Sequence, residues 1–244
     1  MFSLAGKTIL VTGASSGIGR QIAVSASQMG ATLVLTGRNA ERLEETKQLL
    51  SGPAQVIAAD LIVEADLTTL IGQLPDLNGV VFCAGLVEYV PLKFLNYEKI
   101  KTVMALNFDS QVILTQKLVK NKKIQKNSSL VYISSISSKI GVPATALYAS
   151  SKAAIVAFAK VVASELAAQK IRANCVCPGI VRTPMIENAK DTVTQESFTE
   201  AEKSYPLGLG EPVDVAGPVV FLLSDASKWV TGTEMIVDGG LTLQ

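Results

Sequence analysis

Seven short runs of apolar, mostly β-branched residues recur along the chain: TILVT at 8–12, TLVLT at 32–36, QVIAAD at 55–60, GVVFCA at 79–84, LVYIS at 130–134, ANCVC at 173–177 and EMIVD at 234–238. Each is close to continuously apolar rather than alternating, the pattern of a strand covered on both faces. Between them the period lengthens to that of helices, as in GIGRQIAVSASQMG and ERLEETKQLL. Strand and helix therefore alternate, which predicts an α/β fold: a seven-stranded, parallel, doubly wound sheet with helices on both faces, in a single domain over residues 1–244. The rhythm breaks longest at 184–210, PMIENAKDTVTQESFTEAEKSYPLGLG, a polar and interrupted segment expected to act as a lid.

Composition adds exclusions. With 48% hydrophobic and 18% charged residues the chain can fill a core, and a formal net charge of +1 gives no sign of a nucleic-acid partner. No apolar run is read as membrane-spanning, and MFSLAGKTILVTG lacks the features of a signal peptide, so a soluble, cytoplasmic protein is expected. Cys83, Cys175 and Cys177 sit in strand-like runs and are read as reduced core residues, with Cys175 and Cys177 on opposite faces of their strand. Three thiols are too few for a cysteine-only metal site, and the chain has no histidine. That removes Ser-His-Asp and Cys-His hydrolases and His-ligated zinc, so no metal site is expected. Proton chemistry falls to Tyr, Lys, Asp, Glu, Ser or Cys.

Two features carry candidate chemistry. The first strand runs into TGASSGIGR, where Gly13, Ser15, Ser16, Gly17, Ile18 and Gly19 open a helix. Glycines there let the backbone approach a pyrophosphate resting on the positive helix end, as in a dinucleotide-binding Rossmann domain. At the end of the second strand stands Arg38 after Gly37, where an acidic residue would hold the ribose 2′-OH of NAD. A guanidinium suits a 2′-phosphate and favours NADP(H) over NAD(H); the alternative is a solvated residue entering the next helix. Asp60, with Leu61 after it, closes the third strand and is placed to meet adenine, or caps a turn. The second feature is Tyr148 and Lys152, four apart on a helix and hence on one face. The spacing alone also fits a packed tyrosine and a snorkelling lysine.

Together these residues resemble the short-chain dehydrogenase/reductase family over nearly the whole chain. TGASSGIG, Asp60, Ala84-Gly85, Asn107, Ser135, YASSK from Tyr148 to Lys152, Pro178-Gly179, Thr183 and DGG from Asp238 occur in the family's order and spacing. The resemblance implies that Tyr148 is the general acid, that Lys152 stabilises its phenolate and holds the nicotinamide ribose, and that Ser135 bonds the substrate oxygen. It further implies that Asn107 anchors a water leading from Lys152 to solvent. By the same resemblance, Thr183 and the backbone near Ile180 are expected to receive the nicotinamide carboxamide. One departure stands out: Phe82 and Cys83 replace a frequent Asn-Asn after the fourth strand, which leaves open how that strand end is satisfied.

The expectation is therefore an NADPH-dependent reductase converting a ketone to a secondary alcohol, on a 3-oxoacyl thioester or else a small sugar or diketone. A catalytically idle NADP-binding regulator is the alternative of another class. The family implies a homotetramer, with the apolar segment from Phe221 to Gln244 near an interface. An acyl carrier protein is acidic, and the one dense basic run, KLVKNKKIQKN at 117–127, is either its docking surface or a solvated helix end.

Overall fold

A computed structural model describes residues 2–189, 200 and 202–243. The strands are β1 Thr8–Thr12, β2 Thr32–Gly37, β3 Ala54–Ala58, β4 Leu77–Phe82, β5 Ile124–Ile133, β6 Arg172–Pro178 and β7 Glu234–Val237. They form one parallel sheet in the order β3-β2-β1-β4-β5-β6-β7. The predicted class and all seven strands are present. β5 starts six residues earlier than its apolar run, because Ser128 and Ser129 are buried with their hydroxyls donating to the carbonyls of Leu77 and Leu222. A buried hydroxyl that finds an acceptor is tolerated inside a strand.

The helices are α1 Gly17–Gln28, α2 Ala40–Gln48, α3 Glu64–Gln73, α4 Tyr97–Met104, α5 Ser110–Lys120, α6 Ala146–Leu166, α7 Pro184–Ala189 and α8 Pro212–Leu223. Strand periodicity sends alternate side chains to two cores. Ile9 and Val11 of β1 meet Ile22 and Ala26 of α1 and Val215 and Val219 of α8. Leu10 faces the other layer, with Leu70 of α3, Leu114 of α5 and Ile155 of α6. Cys175 and Cys177 both belong to that second layer. Two residues apart on a strand share a face, which corrects the expectation of opposite faces. Among the described residues no cluster of three or more His, Cys, Asp or Glu side chains is suited to a metal.

The 24-residue stretch Ala146–Gln169 is long and apolar enough to cross a membrane, with a mean hydropathy of 1.4, contrary to the sequence reading. One face of it packs into the core: Lys152, Ile155, Val156, Ala159, Val162, Ala163 and Leu166 are buried along it. The basic run divides. Lys117 pairs with Glu64 and Lys123 donates to Leu74 O, at the start of β5 and so at the opposite end of that strand from Ser135. Of the predicted lid, 184–189 and 202–210 are described, and residues 190–199 and 201 lie outside the described residues. The later part returns to the sheet, with Gly210 N donating to Ile180 O and Arg182 N to Gly210 O.

Phe82 answers half of the Asn-Asn question. It is fully buried and stacks on Tyr132, ring centroids 4.4 Å apart and planes 6° from parallel. Phe82→Ala should cost about 3–5 kcal/mol, read as a lower denaturant midpoint at unchanged slope. A loss under about 1 kcal/mol would show the stack to be dispensable.

Candidate active site

β1 has its successor β2 on one side and β4 on the other, so connections leave the carboxyl ends of β1 and β4 on opposite faces and a crevice opens between them. Its volume is about 510 Å³, within the range of small-molecule and cofactor sites. Gly13, Ser15, Ser16, Gly17, Ile18, Gly19, Arg38, Asp60, Leu61, Ala84, Gly85, Ser135, Tyr148, Lys152, Pro178, Gly179 and Thr183 all line it. Asn107 and Ile180 are not among its walls.

The glycine turn is closed too tightly for any side chain. At Gly13, with φ +66°, a Cβ would stand 2.9 Å from the backbone of Ala84, and at Gly19 it would fall 2.3 Å from Gly13 O. Thr12 holds the facing strand end: its Oγ1 accepts from the amides of Cys83 and Ala84 at 3.0 and 3.1 Å and donates to Val81 O. One threonine hydroxyl thus satisfies the end of β4 that the missing amides left open. Arg20 reaches back from α1 to Ser15 O at 2.8 Å and to Thr46 of α2 at 3.0 Å, fixing the turn from behind. Ser16 precedes α1 without capping it, and no acidic residue occupies the first turn. The amides and hydroxyl there suit an anion, and the residues present fit a dinucleotide.

At the other end Lys152 is buried, with Nζ donating to Ile133 O at 2.9 Å and lying 5.7 Å from the centre of the Tyr148 ring. Burial pushes the ammonium down to about 8. Burial likewise pushes the Tyr148 phenol up to about 12, opposed by a hydrogen bond with Ser135. The expected lowering of the phenol by Lys152 is therefore not the dominant effect: the ammonium is turned to a carbonyl and sits over the ring face. Ser134 donates to Lys152 O at 2.8 Å, so the adjacent serines diverge and Ser135 is the one facing Tyr148, as its spacing suggested.

Asn107 and the Ile180 backbone have protein partners of their own. Asn107 is fully buried in a π-helical turn, Ala105–Asp109, between α4 and α5. Its Nδ2 donates to Leu86 O and Ser151 Oγ, and its Oδ1 accepts from Leu86 N. Both ends of the amide are engaged, so it clamps the segment after Gly85 rather than presenting a free group to water. The Ile180 amide donates to the Tyr205 hydroxyl at 2.9 Å and its carbonyl accepts from Gly210, so that backbone is already taken.

Three residues near the site are given no site role by the sequence reading. Arg42 and Cys83 line the crevice. Tyr89 is half-buried in the segment after β4, which Val90 N ties to Ala144 O at 2.7 Å. Arg42 alone had a signal, its position one turn beyond Arg38.

Known proteins share this chain's sequence family and fold. A family model described as "Enoyl-(Acyl carrier protein) reductase" matches residues 13–242. The 3-oxoacyl-[acyl-carrier-protein] reductase FabG of Rickettsia felis is 30% identical over 244 residues, covering 100% of both chains. That of Thermotoga maritima is 31% identical over 248 residues, covering 98% of this chain and 99% of the relative. Among solved structures, one assigned as an NAD(P)-dependent gluconate 5-dehydrogenase of Beutenbergia cavernae, with NADP at low occupancy, superposes with a TM-score of 0.91 at 31% identity. The match covers 100% of this chain and 99% of that one. The angucycline C-6 ketoreductase LanV with bound NADP gives 0.92 at 26% identity, over 99% and 98%.

Cys83 faces the crevice, yet burial pushes its thiol up to about 12, only partly opposed by Lys152. Because the thiolate is the reactive form, the native protein should resist iodoacetamide at Cys83 at pH 7.5 and react there only after denaturation. Peptide mass mapping that finds rapid native labelling would contradict this.

Proposed function

Because the chain belongs to the short-chain dehydrogenase/reductase family and is an NAD(P)-dependent oxidoreductase of CH–OH groups, we propose that it reduces a 3-oxoacyl thioester with NADPH. The observation that carries the reading is the meeting of Tyr148, Lys152 and Ser135 in one crevice with the glycine turn. The turn from Gly13 to Gly19 would hold the pyrophosphate, Arg38 the 2′-phosphate, Asp60 and Leu61 the adenosine. Ala84, Gly85 and the stretch from Pro178 to Thr183 would flank the nicotinamide. When bound, the coenzyme supplies the hydride that reduces the carbonyl carbon.

The chain's own residues manage the proton and the oxygen. A phenol at about 12 keeps its proton at neutral pH, and an alkoxide is a far stronger base than a phenolate. Tyr148 therefore donates once negative charge gathers on the substrate oxygen. Ser135 offers its hydroxyl to that oxygen, and the buried cation of Lys152 supports charge on the phenol as it forms. The start of 184–210 lines this region through Pro184, Met185 and Ile186, which supports a lid role for that segment. NADPH preference is supported by Arg38 in the crevice, unpaired with any described carboxylate, and by the NADP bound in related structures.

The acyl thioester is favoured by the curated relatives. A small sugar acid is the second reading, favoured by the place of the lysine run. A ten-residue strand spans about 33 Å, and the run lies at the far end of β5 from Ser135, so it offers no basic docking surface at the crevice mouth. A homotetramer is the assembly proposed, with the C-terminal segment at an interface, where Trp229 and Leu243 are exposed at 96% and 88%.

Tyr148→Phe should lower kcat by about 10³-fold while NADPH binding, followed by fluorescence, stays near wild type. Substantial residual turnover would remove Tyr148 from its role. The free-enzyme kcat/KM for reduction should hold through neutral pH and fall as Lys152 loses its proton near about 8; a flat profile to pH 10 would contradict it. A panel of 3-oxoacyl thioesters and keto sugar acids, followed by NADPH absorbance, decides between the substrate readings.

A further inference from the structure

One carboxylate on the edge of the sheet holds two lysines from two different elements. β7 is the last strand and pairs only with β6, and its first residue, Glu234, stands opposite Cys175. Glu234 Oε2 accepts from Lys139 Nζ, and Oε1 lies 2.5 Å from Lys160 Nζ. The Glu234 side chain is only 18% exposed, and the bonds from Lys139 and Lys160 hold its carboxyl below the usual carboxylate range, so it is charged at neutral pH.

The two lysines come from the elements that carry the reacting groups. Lys139 closes the short helical turn Ile136–Ser138 that follows Ser135. Lys160 lies on α6 beyond Lys152, about 12 Å further along the axis at a rise of about 1.5 Å per residue. Within the turn the hydroxyls bond to one another and to its own backbone: Ser135 Oγ accepts from Ser137 N at 3.1 Å and donates to Ser137 Oγ at 3.2 Å, and Ser138 Oγ donates to Ser135 O at 2.7 Å. These bonds fix the shape of the turn, so the aim of the Ser135 hydroxyl at Tyr148 follows the tilt of the turn as a whole. Outward, the turn is tied by Ser138 to the Cys177 thiol of β6 and by Lys139 to Glu234 of β7.

We infer that Glu234 is a positioning residue for the reaction: through Lys139 and Lys160 it ties the turn that carries Ser135 to the helix that carries Tyr148 and Lys152. The inference rests on the roles proposed for Ser135 and Tyr148. A partly exposed ion pair adds little to stability, whereas displacing an aimed group by about 1 Å costs on the order of 100-fold in rate. Loss of the clamp therefore shows in turnover before it shows in folding.

Steady-state kinetics with NADPH and the faster of two probes, acetoacetyl-N-acetylcysteamine and 5-ketogluconate, test this alongside NADPH binding by fluorescence and thermal melting. Glu234→Gln should lower kcat about tenfold, with KM, NADPH affinity and melting temperature near wild type. Lys139→Met and Lys160→Met should each lower kcat in the same way, and Lys139→Arg should keep the wild-type rate. Glu234→Gln combined with Lys139→Met should be no slower than either alone, because both remove one link. Unchanged kcat in Glu234→Gln, or losses that multiply in the double variant, overturns the inference. A kcat loss that comes with a marked fall in melting temperature assigns Glu234 to stability and overturns it too. Full turnover in Ser135→Ala, or reduction of neither probe by wild type, overturns the proposed function and the inference with it. An inactive Ser135→Ala beside a fully active Glu234→Gln overturns the inference alone.

Discussion

A single ammonium group, Lys152 Nζ, has to be carried out of water and held there, and much of the architecture around the crevice answers that requirement. Burying an unpaired charge is costly, and among the described residues no carboxylate shares the burial: the charge is met by the Ile133 carbonyl at the end of β5 and the face of an aromatic ring. The helix that carries it is fastened on several sides. Ser134 grips Lys152 O, Ser151 bonds Tyr148 O, and Asn107 bonds Ser151 while clamping Leu86. Gly85 leaves room, since a Cβ there would come within 3.4 Å of the ammonium. The π-helical turn at Ala105–Asp109 carries buried Asn107 into this cluster, and such turns are frequent at functional sites.

The opposite end of the crevice is built on backbone rather than on a buried charge. Thr12 ties β1 to β4, Arg20 and Thr46 tie the glycine turn to α2, and Gly13 and Gly19 keep the turn thin. The two halves thus use different physics, a rigid polar cradle for an anion and a low-dielectric pocket that keeps a phenol protonated and a lysine close to its titration point. They are joined by the sheet, so the reacting groups and the anion cradle are positioned relative to one another by strand register.

Much of this was legible in the sequence because the demands fall on residue type at fixed spacing. Seven apolar runs gave seven strands, and the turn glycines, Ser135, Tyr148 and Lys152 fall in one crevice. The misses have physical causes. Polarity hid the first half of β5, where serine hydroxyls are satisfied by carbonyls from other elements. The period-two rule was misapplied to Cys175 and Cys177, which share a face. The roles of Asn107 and of the Ile180 backbone were assigned without their partners, Leu86 and Tyr205, which only the fold brings near. The balance between burial and Coulomb effects at Tyr148 is likewise a property of three-dimensional surroundings and has no linear signature.

Substrate identity is hidden for a related reason. Proton transfer requires one hydroxyl of the right acidity within bonding distance, so few residue types serve and their spacing is constrained. Recognition of the rest of a substrate requires only a complementary wall, which many residues can form. In this chain Leu86 after β4 and residues 178–186 after β6 line the crevice, and the segment after β4 is held by Val90 to Ala144 and by the Glu88–Lys99 ion pair. Those anchors fix where the wall stands without dictating what faces the carbonyl carbon. The same cradle and acid can therefore serve relatives that differ in substrate, and selectivity has to be measured at the wall, whereas the chemistry can be read from the sheet.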